Sequence, residues 1–345
     1  MFRIVSVSIP FLVCTFWFIQ YALSYRKNDR AKRMFTWFLA TCVLLYFCHF
    51  RFFTVGLSHP MECLWTLCSL SVYPLFFAYI FRLTSQYLAI HRLYMILLPG
   101  LLVALAKLFF PSEEIDIVQK IVNSIQILLV SVYGFKRLKA FDKEIAEVYA
   151  DMEGRDTSAL KQLLTAFVLT SICSAIANVI GKHFFADSDI ALFGVMMAFS
   201  IMLYSLSYIC FERRFSVEQL IIDSPVETLD ATDNDGAKGD IGVKFENLMI
   251  NEQFYLTKNL KINDVSKRLG VCRTYVSNYI NQTYGCSFSD YVNKMRVEYA
   301  MKLLREDTNT KQIVIAESAG FSSEQSFYRN FRKFIGMSPA EWLRK

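Results

Sequence analysis

The chain has 345 residues, 54% of them apolar and 20% charged, with 31 Phe and a formal net charge of +6. That length admits two or three domains, and this apolar load excludes a disordered chain and a uniformly soluble one. Residues 244–345 hold 16 Lys/Arg against 10 Asp/Glu, so the last third alone accounts for the basic excess, a bias that suits a polyanionic partner.

The first apolar run, Phe2 to Tyr25, is long enough to span a bilayer and lacks the small-residue cleavage site of a signal peptide. A spanning helix needs roughly 20 mostly apolar residues. Seven stretches qualify, at about 4–25, 34–54, 62–81, 93–110, 117–135, 163–184 and 190–211, with six or eight as alternatives. Nine cysteines in no regular spacing form neither a disulfide framework nor a zinc pattern, and six of them sit inside apolar runs as small hydrophobes.

Loop charge sets an orientation. Alternate loops hold fifteen basic residues: Arg26, Lys27, Arg30, Lys32 and Arg33; Arg82 and Arg92; Lys136, Arg137, Lys139, Lys143, Arg155 and Lys161; Arg213 and Arg214. The opposite side holds five: Arg3, Arg51, Lys107, Lys120 and Lys182. The richer side is expected inside. An odd number of spans then leaves the N-terminus outside and the basic C-terminal region in the cytosol.

Among polar residues near the spans, Gln20, Asn123, Gln126 and Asn178 read as packing between helices. The outer group of His49, Arg51, His59, Glu62 and His183 has the chemistry of a ligand or proton site and is the candidate signal site, for an unidentified ligand. No HExxH, GxSxG, P-loop or paired intramembrane aspartates occur, so no catalytic residue, metal or cofactor is expected and the chain does not read as an enzyme.

From Asp223 to Asp240 the chain carries six acidic residues, one lysine, Pro225, Gly236 and Gly239. This composition reads as a flexible acidic tether, with an r.m.s. span of about 25 Å. The expected organisation is therefore a transmembrane domain over 1–215, a linker over 216–243 and a soluble domain over 244–345.

In that last domain one signal occurs twice. Asp264 to Gly270 and Val314 to Gly320 are each a short amphipathic helix with a small residue four before a glycine, followed by a second helix. That is the sequence form of a helix-turn-helix. Ile262, Val265 and Leu269 share one face of the first copy, with Val276 and Ile280 inward on its second helix. In the second copy the pattern is Ile313, Ala316, Gly320 and Phe321, then Phe327, Phe331 and Phe334 inward. Tyr328 is expected to face outward. Between the copies, a helix of about Ser287 to Arg305 is long enough, at roughly 28 Å, to set two modules one turn of DNA apart.

Residues 247–345 resemble the C-terminal DNA-binding domain of the AraC/XylS family. The resemblance rests on Leu269-Gly270-Val271, the run from Tyr284 to Val292, Arg296 with Ala300 and Leu303-Leu304, Ala316 to Phe321, Ser326 to Lys333, and Gly336-Met337-Ser338-Pro339. It covers about 30% of the chain. It implies an all-α fold: a polytopic helical bundle followed by two helix-turn-helix modules on a linker helix. It also implies base contacts from Thr274, Ser277 and Asn278 and from Glu324, Gln325 and Arg329. Arg273, Arg332 and Lys333 are expected on phosphates. Cys272 stands at an N-cap the family usually fills with Ser or Thr, and Ile280 where an aromatic is common.

The expected partners are double-stranded promoter DNA, membrane lipid, a second copy in a homodimer, and RNA polymerase. Three functions fit: a membrane-embedded transcription regulator, a stored reader released by proteolysis in the linker, or a receptor or transporter whose cytosolic domain binds a protein.

Overall fold

The computed structural model describes residues 2–24, 29–85, 90–180, 188–213, 215–223, 238–306 and 310–344. The chain divides into two compact units. One is Met1–Lys139 with Thr157–Val217; the other is Ala140–Asp156 with Glu218–Lys345. Among the described residues both are helical, apart from one isolated bridge between Tyr149 and Lys261 in the second unit.

Seven helices follow the apolar runs: α1 Phe2–Leu23, α2 Arg30–Thr54, α3 His59–Thr84, α4 Ile90–Phe109, α5 Glu113–Ala146, α6 Ser158–Ile180 and α7 Asp189–Glu212. Of these, α1, α2, α3, α5 and α7 are the five long and apolar enough to cross a membrane. The other two carry shorter apolar stretches, Met95–Phe109 and Ser158–Ile172. Each expected span thus corresponds to a helix, with five of full spanning length among the described residues.

Aromatic side chains form the core of this unit. Phe35, Phe38, Phe76 and Tyr79 are buried together. On α1, Trp17 meets Tyr204 of α7 edge-on at 5.4 Å, and Tyr21 Oη donates to the Ser207 carbonyl at 3.1 Å. Gly100 lets α4 close on α3, since a Cβ there would lie 3.0 Å from Leu70 Cβ.

Hydroxyls in the helices turn back on their own backbone. Thr15, Thr84 and Ser200 donate to the carbonyls of Phe11, Ile80 and Met196 at 2.8, 2.8 and 2.7 Å. This satisfies a polar group inside an apolar helix without a second partner. On α5, Ile121, Ile125, Leu128 and Val132 are each more than half exposed. Their spacing places them on one helix face, an apolar stripe suited to lipid tails.

The second unit contains α8 Val217–Asp223, which begins at the unit boundary, and α9 Lys238–Glu246. A π turn at Asn247–Asn251 and a 3-10 turn at Phe254–Leu256 lead into α10 Ile262–Leu269, α11 Arg273–Tyr284, α12 Phe288–Glu306, α13 Gln312–Ser318, α14 Glu324–Ile335 and α15 Pro339–Leu343. Of the expected acidic tether, 224–237 lies outside the described residues, and both of its ends are helical. The Asp223 carboxylate has partners: Tyr149 Oη donates to it at 2.5 Å and Lys261 Nζ lies at 3.1 Å. Burial alone would raise the pKa of Asp223, but these bonds outweigh it and hold the carboxyl below its usual range.

Both helix-turn-helix copies are present. In the first, Ile262, Val265, Val276 and Ile280 are buried, and Ser266 sits at the close crossing. In the second, Ile315, Ala316, Phe321, Phe327 and Phe331 are buried. Ile313 is 49% exposed, so the inward register differs from the expected one. Ile315 and Ala316, with Ala319 three to four residues on, form the packed face of α13 and its cap, which leaves Ile313 outside it. Phe334 is only partly buried, at the edge of this cluster.

Two features lock the modules together. Gly270 and Gly320 both have left-handed backbone, φ +69° and +82°. Gly270 has open space around it, whereas a Cβ on Gly320 would lie 2.8 Å from the Leu256 carbonyl carbon. Arg296 of α12 is fully buried. Its Nε donates to the Tyr255 carbonyl and its Nη2 to that of Thr257, both at 2.7 Å, while its guanidinium lies 5.7 Å from the Phe321 ring. Burial pushes the Arg296 pKa down to about 10, and Asp151 opposes that shift.

Gly270→Ala should cost about 1 kcal/mol from backbone strain alone, and Gly320→Ala about 3 kcal/mol from strain plus overlap with Leu256. Urea unfolding of the two variants will rank them. Arg296→Met should lose about 3 kcal/mol, the combined worth of two charge-assisted bonds, read as a lower urea midpoint.

Candidate nucleic-acid interface

The second helix of each module carries the side chains expected to read bases. Helix α11 follows Gly270 after a two-residue turn, and its N-cap is Cys272, whose side chain makes no capping bond. Thr274 and Asn278 are exposed, Ser277 is half-buried, and Arg273 opens the helix half-buried. Ser277 Oγ donates to Glu147 Oε2 at 2.9 Å, and Asn281 Nδ2 reaches the same oxygen at 3.3 Å.

Helix α14 is better capped. Ser323 Oγ accepts from the Ser326 amide at 3.1 Å, which satisfies one of the free N–H groups of the first turn. Glu324, Gln325, Arg329, Arg332 and Lys333 are exposed. Arg329 Nη1 lies 3.4 Å from Asp156 Oδ2, and Lys333 Nζ 2.5 Å from Asp290 Oδ1. Tyr328, expected outward, is half-buried and its hydroxyl donates to Gln312 Oε1. It packs between the two helices of its own module instead of facing a partner.

Linking the two, α12 is 19 residues long. Its first turns hold Ser289 and Asn293, both buried, and both donate to the Ala150 carbonyl, at 2.8 and 2.6 Å. The unit therefore presents, in chain order, the outer side chains of α11, the start of α12 and the outer side chains of α14. Serine, asparagine, glutamine and arginine donors predominate there, the chemistry that meets base edges and phosphate oxygens.

The residues that sequence reasoning missed are Glu147, Asp151, Glu153 and Asp156, which contact this surface. They lie between two apolar runs in a stretch whose Lys and Arg are matched by as many Asp and Glu, and a count of basic residues alone passes over them. Their close spacing was the available signal.

In the first unit His49 and His59 of the expected signal site take separate partners. His49 Nδ1 lies 2.9 Å from the Leu45 carbonyl oxygen, and its ring is 4.7 Å from Trp65. His59 Nε2 is 3.2 Å from the Leu108 carbonyl oxygen and 4.0 Å from Cys63 Sγ. Arg51 and Glu62 are half-buried on α2 and α3, and His183 lies outside the described residues. Among the described residues no three His, Cys, Asp or Glu side chains group as metal ligands.

Residues 265–345 match a family described as a helix-turn-helix domain. The melibiose operon regulatory protein of Escherichia coli (strain K12) is 32% identical over 83 residues, covering 24% of this chain and 27% of that protein. The transcriptional regulatory protein HptR of Staphylococcus aureus (strain NCTC 8325 / PS 47) is 27% identical over 109 residues, covering 30% of this chain and 42% of that protein. The chain thus spans less than half the length of these curated relatives. No solved structure matches it. Paired helix-turn-helix modules, their left-handed glycines and these matches together identify the C-terminal region as an AraC-type, DNA-binding helix-turn-helix domain of the kind carried by transcription regulators.

Proposed function

We propose that the chain is a membrane-embedded bacterial transcription regulator. Its apolar helices anchor it in the cytoplasmic membrane and receive or relay a signal. Its C-terminal domain binds promoter DNA sequence-specifically from the cytosolic side. The observation that carries this reading is the coexistence, in one chain, of five helices long and apolar enough to cross a membrane with two complete helix-turn-helix modules.

In this reading Thr274, Ser277 and Asn278 of α11 and Glu324, Gln325 and Arg329 of α14 contact bases. There Arg329 pairs with guanine, Gln325 pairs with adenine, and Glu324 accepts from cytosine. Arg273, Arg332 and Lys333 hold phosphates and set register. The better-capped α14 with its richer donor set carries more of the specificity than α11. A homodimer would double the number of grooves read, and RNA polymerase is the natural downstream contact. The basic loops, including Arg30, Lys32 and Arg33, support placing the reader inside.

Alkaline carbonate washing of membranes should leave the full chain in the pellet; extraction into the supernatant would remove the membrane half of the proposal. With the full chain in detergent, selection from random duplexes should yield a preferred sequence. Arg329→Ala and Gln325→Ala should each cost about 1–3 kcal/mol of discrimination at one base pair, while Lys333→Ala should lower affinity evenly and flatten the salt dependence. Unaltered sequence preference in both α14 variants would reject the assigned base contacts.

A further inference from the structure

Part of the face that carries the expected base readers is contacted by the chain itself, at Ser277 and Arg329. Residues 147–156 join α5 to α6 in the sequence and pack within the second unit. Their anchor is a short antiparallel pairing. The Ala150 amide donates to the Leu260 carbonyl at 3.0 Å, and the Ile262 amide to the Val148 carbonyl at 2.9 Å. Val148, Tyr149, Ala150 and Asp151 are all buried. Tyr149 is held by Asp223 through its hydroxyl, and the Arg155 guanidinium lies 4.5 Å from its ring.

From this anchor the segment presents four carboxylates to the reader. Glu147 takes Ser277 and Asn281 of α11. Asp151 accepts from Ser326 Oγ at 3.1 Å. Glu153 accepts from Ser322 and from Ser323, the N-cap of α14. Asp156 pairs with Arg329. Between the modules, the Ala150 carbonyl takes Ser289 and Asn293 of α12. Two of these donors, Ser277 and Arg329, are among the six side chains assigned to bases. DNA offers the same chemistry as the segment, a line of anionic and carbonyl oxygens. A donor bound to a carboxylate of the segment is not available to DNA.

We infer that residues 147–156 are an internal occupant of the DNA-reading face, so that duplex DNA and this acidic segment exclude one another. The inference rests on the DNA-reading proposal above. The reader is closed while the segment is docked and opens when it leaves. Because the segment is continuous in the chain with α5 and α6, a signal that favours one placement of those helix ends biases the docking equilibrium, provided it binds the two states differently. Asp151 Oδ2 is buried without a hydrogen-bond partner, so docking leaves one acceptor unmatched, a cost that favours release.

The test compares the full chain in detergent with the variant Glu147→Gln/Glu153→Gln/Asp156→Asn, using fluorescent random-sequence duplexes as the probe. A control, Glu252→Gln/Glu298→Gln/Glu306→Gln, carries the same charge change away from the segment's contacts. With nine-tenths of the chains docked, the variant should bind up to about tenfold tighter than wild type, and tighter than the control. Adding DNA to the wild-type chain should speed deuterium uptake over 140–156. A variant that binds no tighter than the control, or slower uptake over 140–156 with DNA, overturns the inference while leaving DNA reading intact. If the variant fails to fold, uptake in the wild-type chain decides alone. Absence of DNA binding by all three chains overturns the DNA-reading proposal, and the inference with it.

Discussion

The reading unit depends on one buried cation. Arg296 lies inside the domain with no exposed surface, ties α12 to the carbonyls of Tyr255 and Thr257, and faces the ring of Phe321. It therefore touches the segment that introduces the first module and the turn of the second. The desolvation cost of such a guanidinium is offset only while both carbonyls hold their positions. Close approach at Gly320 acts in the same place, where the turn of the second module lies against Leu256. Together they make α12 a rigid joint, and two recognition helices fixed on one joint can meet DNA in one register.

The apolar half follows a different rule. Within it, hydroxyls such as those of Thr15, Thr84 and Ser200 bond back along their own helices, and aromatic rings fill the spaces between neighbours. The exposed stripe on α5 and the long apolar lengths of α1, α2, α3 and α7 are consistent with one solvent, hydrocarbon. The reader, by contrast, keeps its polar donors outward and its Phe and Val side chains inward.

Much of this was legible beforehand, because each signal was local. Apolar length marks a spanning helix, and a small residue four before a glycine marks the turn of Ser266 to Gly270 and of Ala316 to Gly320. Inward positions such as Val265, Ile280, Phe327 and Phe331 follow from helical spacing. The errors came where a neighbour decided the outcome. Tyr328 is drawn inward by Gln312, and Ile313 is left outside the packed face of α13. Asp223 looked like part of a solvated tether until Tyr149 and Lys261, both distant in sequence, supplied its partners. The acidic segment on the reader was hidden for the same reason: nothing local to Glu147 or Asp156 names Ser277 or Arg329.

That long-range closure has a consequence for how the protein is made. Asp151 meets Ser326, a partner 175 residues further along the chain. At roughly 5–20 residues per second, synthesis separates the two by about 10–35 seconds. During that interval α6 and α7 are translated, while Val148, Tyr149 and Ala150 have emerged without the chain that will bury them. Completion of the reading unit must therefore await the C-terminus. A ribosome that stops before α14 leaves Asp151 without Ser326 and the second module without Phe327 and Phe331 of its core.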